Sequence, residues 1–188
     1  MPANPKANRG PSAGPANRRA LIAAARAVFA EDGFSAPLSA VAKRAGVGQG
    51  SLYRHFPDRI ALAVAVFDDN ITELEELGAR PDARIADLFD QVSEQAIGST
   101  ALIDMITSER HDPRAEHLGE RIAAVAGRML ARDQAQGRIA AHVVTDDVML
   151  SVAMLAFALS QTDPAERPAV ADRARRIFRD AFAPRPRE

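Results

Sequence analysis

"AGVGQGSLYRHFPDR", residues 45–59, decides how this chain folds. It holds the only tyrosine of 188 residues and has two helix-ending signals, Gly46 and Pro57. Before it, Leu38, Val41, Ala42 and Ala45 fall at helical spacing, with Pro37 suited to the first turn, and Gly46 closes that helix. Three residues later the pattern is helical again, from about Gln49 to Phe56, until Pro57 stops it and Asp58 caps the next helix. Two short helices joined by a three-residue turn containing glycine form a helix-turn-helix.

Within this stretch Val47, Leu52 and Phe56 are the apolar plugs of a small core. Gln49, Ser51, Tyr53, Arg54 and His55 then face outward on a helix too short to be stable in isolation. A helix of this kind fits the DNA major groove. Gln can pair with adenine and Arg with guanine, while the Ser and Tyr hydroxyls and the His imidazole reach phosphates. Gly50 removes a side chain where DNA must come close, and Arg59 extends the basic surface toward the backbone. The bland alternative is a set of ordinary solvated polar residues.

Charge favours the first reading. Residues 1–60 carry nine Lys or Arg against three Asp or Glu, a net +6, whereas residues 61–188 have a net charge of −7. A basic third joined to an acidic remainder suggests that a polyanion is bound at one end only. Upstream, Leu21, Ile22, Ala25, Val28 and Phe29 predict a helix from Asn17 to the stop at Gly33. Residues 1–16, rich in Pro, Ala, Asn and Gly, predict a disordered tail.

"FSAPLSAVAKRAGVGQGSLYRHFPDRIAL" resembles the DNA-binding domain of the TetR family of bacterial transcriptional regulators, and "RRALIAAARAVFAEDGF" resembles that family's first helix. The resemblance covers about residues 17–67. It implies DNA contacts from Gln49, Gly50, Ser51, Tyr53 and His55 of the recognition helix and from Arg59, where a Lys is more usual; Arg54, and Ser39 and Arg44 of the preceding helix, are further candidate contacts. Three positions depart from the pattern in ways that bear on contacts or capping. Pro37 and Leu38 stand where Thr is common, leaving Ser39 as the nearby hydroxyl, and Gly48 stands where Ser is frequent, removing a possible cap.

Beyond Asp58 only helices are expected, over about 58–78, 82–97, 99–110, 113–136, 146–161 and 164–182, punctuated by Gly78, Pro81, Gly98, Pro113, Gly137 and Pro164. The resemblance implies that they form a ligand-binding and dimerisation domain. "VMLSVAMLAFAL", 148–159, is apolar at eleven of twelve positions, which predicts a helix buried nearly all round. In the last helix Val170, Ala174, Ile177, Phe178, Ala181 and Phe182 repeat at helical spacing, with Arg173, Arg175, Arg176 and Arg179 mostly opposite. Helices 146–161 and 164–182 are therefore expected to pack against their symmetry mates in a homodimer; an intramolecular core is the alternative. Phe89, Met105, Met129, Met149, Met154 and Phe157 are candidate pocket residues, although each is also explained as plain core. The absence of Tyr and Trp after residue 53 leans toward an apolar or amphipathic effector.

Little in the chain points to chemistry. There is no Cys, and "SERHDPRAEH", 108–117, gathers Glu109, His111, Asp112, Glu116 and His117 around Pro113 without the spacing of a two-His metal motif. Asp112 reads as a helix cap, and His142, Asp146 and Asp147 as a loop and a helix N-terminus. No cofactor, metal or enzymatic activity is expected. The first residues lack the apolar block of a secretory signal, and the longest uncharged run, 148–162, is short of the roughly 20 residues that span a membrane. A cytoplasmic protein is expected.

The sequence thus predicts an all-α protein: a tail at 1–16, a three-helix helix-turn-helix DNA-binding domain at 17–60, and a helical-bundle domain for ligand binding and dimerisation at 61–188. Its expected partners are a palindromic double-stranded DNA operator, a second copy of itself and a small effector that releases it. An activator, a ligand-independent regulator, and a helical ligand carrier or enzyme with a vestigial helix-turn-helix remain open as alternatives.

Overall fold

The computed structural model describes residues 13–98, 101, 105 and 111–184. Among these residues there are eight helices and no strand: α1 (Ala13–Asp32), α2 (Leu38–Ala45), α3 (Gln49–His55), α4 (Arg59–Ala79), α5 (Ile85–Gly98), α6 (Pro113–Ala135), α7 (Thr145–Ser160) and α8 (Arg167–Phe182). The helix expected over 99–110 falls outside the described residues, except that Ala101 and Met105 are helical and buried. No helix among the described residues is long and apolar enough to cross a membrane.

The first core forms where α1 meets α2 and α3. Leu21, Ala25, Val28 and Phe29 project from one face of α1 onto Val41, Ala42, Leu52 and Phe56, all almost fully buried. Gly33 ends α1 at φ 78°, and Gly46 ends α2 at φ 64°, where its N–H donates to the Ala42 and Lys43 carbonyls. Both positions lie in the left-handed region that glycine enters without steric cost.

α1 begins at Ala13, four residues before the expected start at Asn17, so residues 13–16 belong to the helix and not to a disordered tail. Pro15 is compatible with this. It sits in the first turn, where no intrahelical acceptor waits for its missing N–H.

α4 belongs to both parts of the molecule. Its start packs under α1 through Leu62, Ala63 and Val66, and its second half packs through Phe67, Ile71 and Leu74 on Leu118, Ile122, Val125 and Met129 of α6. Gly78 marks the tightest approach: a Cβ there would lie 2.6 Å from Val125 Cγ1. Charged pairs bind the long helix to its neighbours. Arg26 of α1 donates to Asp69 at 2.7 Å, and Arg121 of α6 donates twice to Glu75, each at 2.8 Å.

Layered beyond α4 and α6 are α5, α7 and α8, joined through Leu88, Phe89, Val148, Val152, Leu155, Leu159, Ala171 and Phe178. The expectation that 148–159 is buried nearly all round fails for the single chain. Val148, Val152, Leu155 and Leu159 are inside, but Leu150 is 61% exposed, Met154 55% and Phe157 56%, because α5, α6 and α8 leave one side of α7 uncovered.

Candidate functional site

The recognition helix is held by its two apolar residues. Leu52 and Phe56 are buried at the ends of a single turn, which fixes the opposite face outward. Gln49, Gly50, Tyr53 and Arg54 occupy that exposed face, while Ser51 and His55 are half-buried on its flanks. Tyr53 is 52% exposed, an unusual placement for the chain's only tyrosine. Arg54 bonds only within its own helix, from Nε to the Gly50 carbonyl at 3.3 Å. A Cβ at Gly50 would meet no protein atom within 4 Å, so packing inside the protein does not require glycine there. Gly48 precedes the helix in extended conformation without a side-chain cap, as the sequence indicated.

The other predicted contact residues divide into outward and occupied side chains. Ser39 is exposed in the first turn of α2. Arg44 is exposed but pairs with Glu31 of α1, Nη2 to Oε1 at 2.8 Å, and this contact holds the Glu31 carboxyl below its ordinary pKa. Arg59 differs from expectation: it turns inward. Its Nη1 donates to the Phe34 carbonyl at 2.6 Å and to that of Ala36, and its guanidinium lies over the Phe34 ring, 5.6 Å from the centroid. The reason is local, since the non-helical link between α1 and α2 frees two carbonyls that need a donor. Arg18, which the sequence reading passed over, is exposed near the recognition helix with its guanidinium 5.3 Å from the Phe56 centroid.

The six candidate pocket residues are spread, among the described residues, between the core, its edge and the open side of α7. Met105 and Met129 are fully buried, and Met129 packs beside Gly78. Met149 is partly buried at the edge of the core. Met154 and Phe157 are on the open side of α7, where Leu150 and, on α8, Ile177 are also exposed. Phe89 lines a cavity. That cavity, of about 530 Å³, opens between the start of α5, the segment after α6 and the last half of α8. Phe89, Ile85, Ile139 and Phe182 give it apolar walls, and Arg84, Arg138, Arg175, Arg176 and Arg179 enter it together with Asp90, Asp133 and Asp172. The run of arginines in the last helix was the available signal. Their convergence with Arg84 and Arg138 depended on tertiary packing.

Neither histidine of the 108–117 stretch that falls among the described residues enters a cluster. His117 Nδ1 is 3.6 Å from Glu120, and no group of three His, Cys, Asp or Glu among the described residues could hold a metal ion. Glu109 falls outside those residues. The capping readings agree with the structure: Asp58 accepts from Ala61 N at 2.7 Å, Asp112 from Arg114 N at 2.9 Å, and Asp147 from Val144 N at 2.9 Å.

Residues 21–66 match the family model described as bacterial regulatory proteins, tetR family. Among solved structures, a TetR transcriptional regulator from Streptomyces coelicolor is 26% identical with a TM-score of 0.62, over 90% of this chain and 99% of that one. A TetR transcription regulatory protein from Mycobacterium vanbaalenii is 27% identical with a TM-score of 0.58, over 92% of this chain and 98% of that one. Reduced NemR of E. coli shares the fold at 18% identity, with a TM-score of 0.67 over 89% of this chain and 97% of that one. No curated protein sequence matches the chain.

Proposed function

We propose that this chain, a DNA-binding transcriptional regulator of the TetR family, acts as a homodimeric repressor that a small molecule releases from a palindromic operator. The observation that carries the proposal is the outward face of α3. Gln49, Tyr53 and Arg54 serve no packing purpose, and Gly50 clears the approach between them. In the major groove Arg54 pairs with guanine and Gln49 with adenine, while Tyr53, Ser39 and Arg44 take phosphates. Arg44 gives up an exposed ion pair with Glu31 to do so, and exposed pairs contribute little stability. Arg59 acts indirectly by holding the α1–α2 link against α4.

One helix-turn-helix offers too small an interface for specific binding, and a dimer reads two half-sites about 34 Å apart. The exposed Leu150, Met154, Phe157 and Ile177 of α7 and α8 supply an apolar face for the second copy. Release by an effector follows from linkage. A ligand that prefers the dimer with displaced recognition helices lowers DNA affinity by the same factor, typically about 1–3 kcal/mol of coupling.

The experiment is a gel-shift titration of the purified protein against DNA from upstream of its own gene, at two salt concentrations with nonspecific competitor. A specific shift at two chains per site, weakening steeply with salt, is expected. If genome-wide selection also recovers no specific site, the reading is wrong.

A further inference from the structure

The cavity between α5, the segment after α6 and α8 combines two features that a solvated surface does not require. Its walls are apolar: Phe89 stacks near Phe178 and Phe182, with centroids 5.3 and 6.3 Å away, and Ile85 and Ile139 complete the lining. A volume near 530 Å³ is that of a small-molecule site.

Its charges do not cancel. Asp133, almost fully buried, accepts from Arg138 at 2.6 and 2.8 Å and from the Ile85 N–H at 2.9 Å. Arg175 is taken by Asp90 and Asp172. These contacts occupy all three acids, whereas the side chains of Arg84, Arg176 and Arg179 form no ion pair or hydrogen bond among the described residues. Three exposed arginines with no acid partner among the described residues therefore line an apolar cavity within a domain of net negative charge.

The site is also separate from the two surfaces already discussed. Arg132, next to Asp133, donates to the Gly78 and Arg80 carbonyls at the far end of α4 from the recognition helix. Ile177 sits two residues from both Arg175 and Arg179, about 200° around α8 from each. Arg175 and Arg179 thus face away from Ile177, whereas Arg176 lies about 100° from it around the helix.

We propose that this cavity binds an amphipathic organic anion, with an aromatic or branched body against Phe89 and Phe182 and a carboxylate at Arg176, Arg179 and Arg84. Guanidiniums match a carboxylate through paired, charge-assisted hydrogen bonds. Its role as the effector site rests on the ligand-responsive reading above; the binding itself does not.

The chain has no Trp and one Tyr, so naphthalene fluorescence can be read on the intact protein with little background. The probes are 2-naphthoate, its neutral isostere 2-naphthamide, and inorganic phosphate as competitor. Saturable binding of naphthoate at one site per chain is expected, roughly tenfold or more tighter than naphthamide. Replacing Arg176→Gln and Arg179→Gln together should weaken naphthoate by about tenfold or more and leave naphthamide unchanged. Arg84→Gln provides an independent variant, and circular dichroism verifies that each is folded. Absence of naphthoate binding at millimolar concentration, equal binding of the two probes, or arginine variants that bind naphthoate as well as the parent would each overturn the proposal. Displacement by equimolar phosphate would do so too, by assigning the arginines to a free anion. Operator binding measured on the same unmodified protein keeps the two questions apart: its loss condemns the regulator reading, and the naphthoate result stands without it.

Discussion

Arg114 donates from Nη1 to both carboxylate oxygens of Asp58, at 3.0 and 3.1 Å, while its Nη2 and Nε hold Asp112 at 2.8 and 3.0 Å. Both acids are N-caps, Asp58 of α4 and Asp112 of α6. One planar fork therefore fastens the first turn of the helix leaving the helix-turn-helix to the first turn of a bundle helix.

The side chain of Arg114 is 40% exposed, so its net contribution is modest despite the number of bonds. Arg114→Ala should lower stability by about 1 kcal/mol, a shift of roughly 2–4 °C in Tm for a chain of this size. Arg114→Lys should recover less than half of that, since a point charge cannot serve two carboxylates with fork geometry. Thermal melting of the three proteins tests this, and full recovery by Lys would show that charge alone matters.

Acid should loosen the same junction. Hydrogen bonds from the Arg114 side chain, and then its backbone N–H, hold the Asp112 carboxyl at about 2, below its ordinary 3.8. A carboxyl lowered on folding stabilises the protein above its unfolded pKa and loses that contribution as pH falls toward the folded one. Glu75, lowered by Arg121, acts in the same direction. In urea titrations Asp112→Asn, which keeps a cap but not the charge, should be less stable than the parent at pH 6. The difference should shrink as pH falls from about 4 toward 2. A gap that stayed constant with pH would exclude the charge as its source.

Gly78 permits the closest α4–α6 approach, and its replacement has a definite sign. The Cβ of Gly78→Ala would fall 2.6 Å from Val125 Cγ1, and Val125 is fully buried and, being β-branched, stiff at χ1. Higher helix propensity recovers less than 1 kcal/mol of the roughly 1–3 kcal/mol that overpacking costs. Net destabilisation is therefore expected in denaturant unfolding, and a stabilised variant would mean that the two helices separate freely.

The apolar face of α7 and α8 gives a test of assembly. Leu150 and Phe157 are more than half exposed, so Leu150→Glu with Phe157→Glu should leave the fold of each chain intact while placing charge in the interface between copies. Light scattering should then report a monomer, with operator affinity falling by roughly a hundredfold or more as the two half-sites lose their linkage. A double variant that remained dimeric would place the interface elsewhere.

What could be read from the sequence was what local chemistry determines. Gly33, Gly46 and Pro57 end helices because of their own backbone restrictions, and Asp58 and Asp112 cap because they precede helices. The start of α1 was obscured by Gly14–Pro15, which breaks a helix interior but not a first turn. The inward turn of Arg59 was hidden because its acceptors, the Phe34 and Ala36 carbonyls, lie over twenty residues away. The cavity was least visible: Arg84, Arg138 and Arg179 meet only once α5, α6 and α8 have packed. Met154 and Phe157 suited a pocket by composition, yet orientation about α7 puts them on the open surface.

The recognition helix offers the sharpest separation of function from stability. Tyr53 is exposed, and Arg54 forms only a long bond within its own helix, so neither supports the core formed by Leu52 and Phe56. In the proposed complex Tyr53→Phe removes one hydroxyl contact to phosphate and should weaken binding about equally on all DNA sequences. Arg54→Ala removes the proposed guanine contact, of a kind commonly worth about 1–3 kcal/mol of discrimination, and should relax specificity at one base pair of each half-site. The melting temperature of the double variant should remain within about 2 °C of the parent, as expected for exposed positions. Anisotropy titrations against operator and scrambled DNA separate the two effects. Unchanged operator affinity in the double variant, with folding intact, would remove α3 from the interface and leave its outward polar face without a purpose.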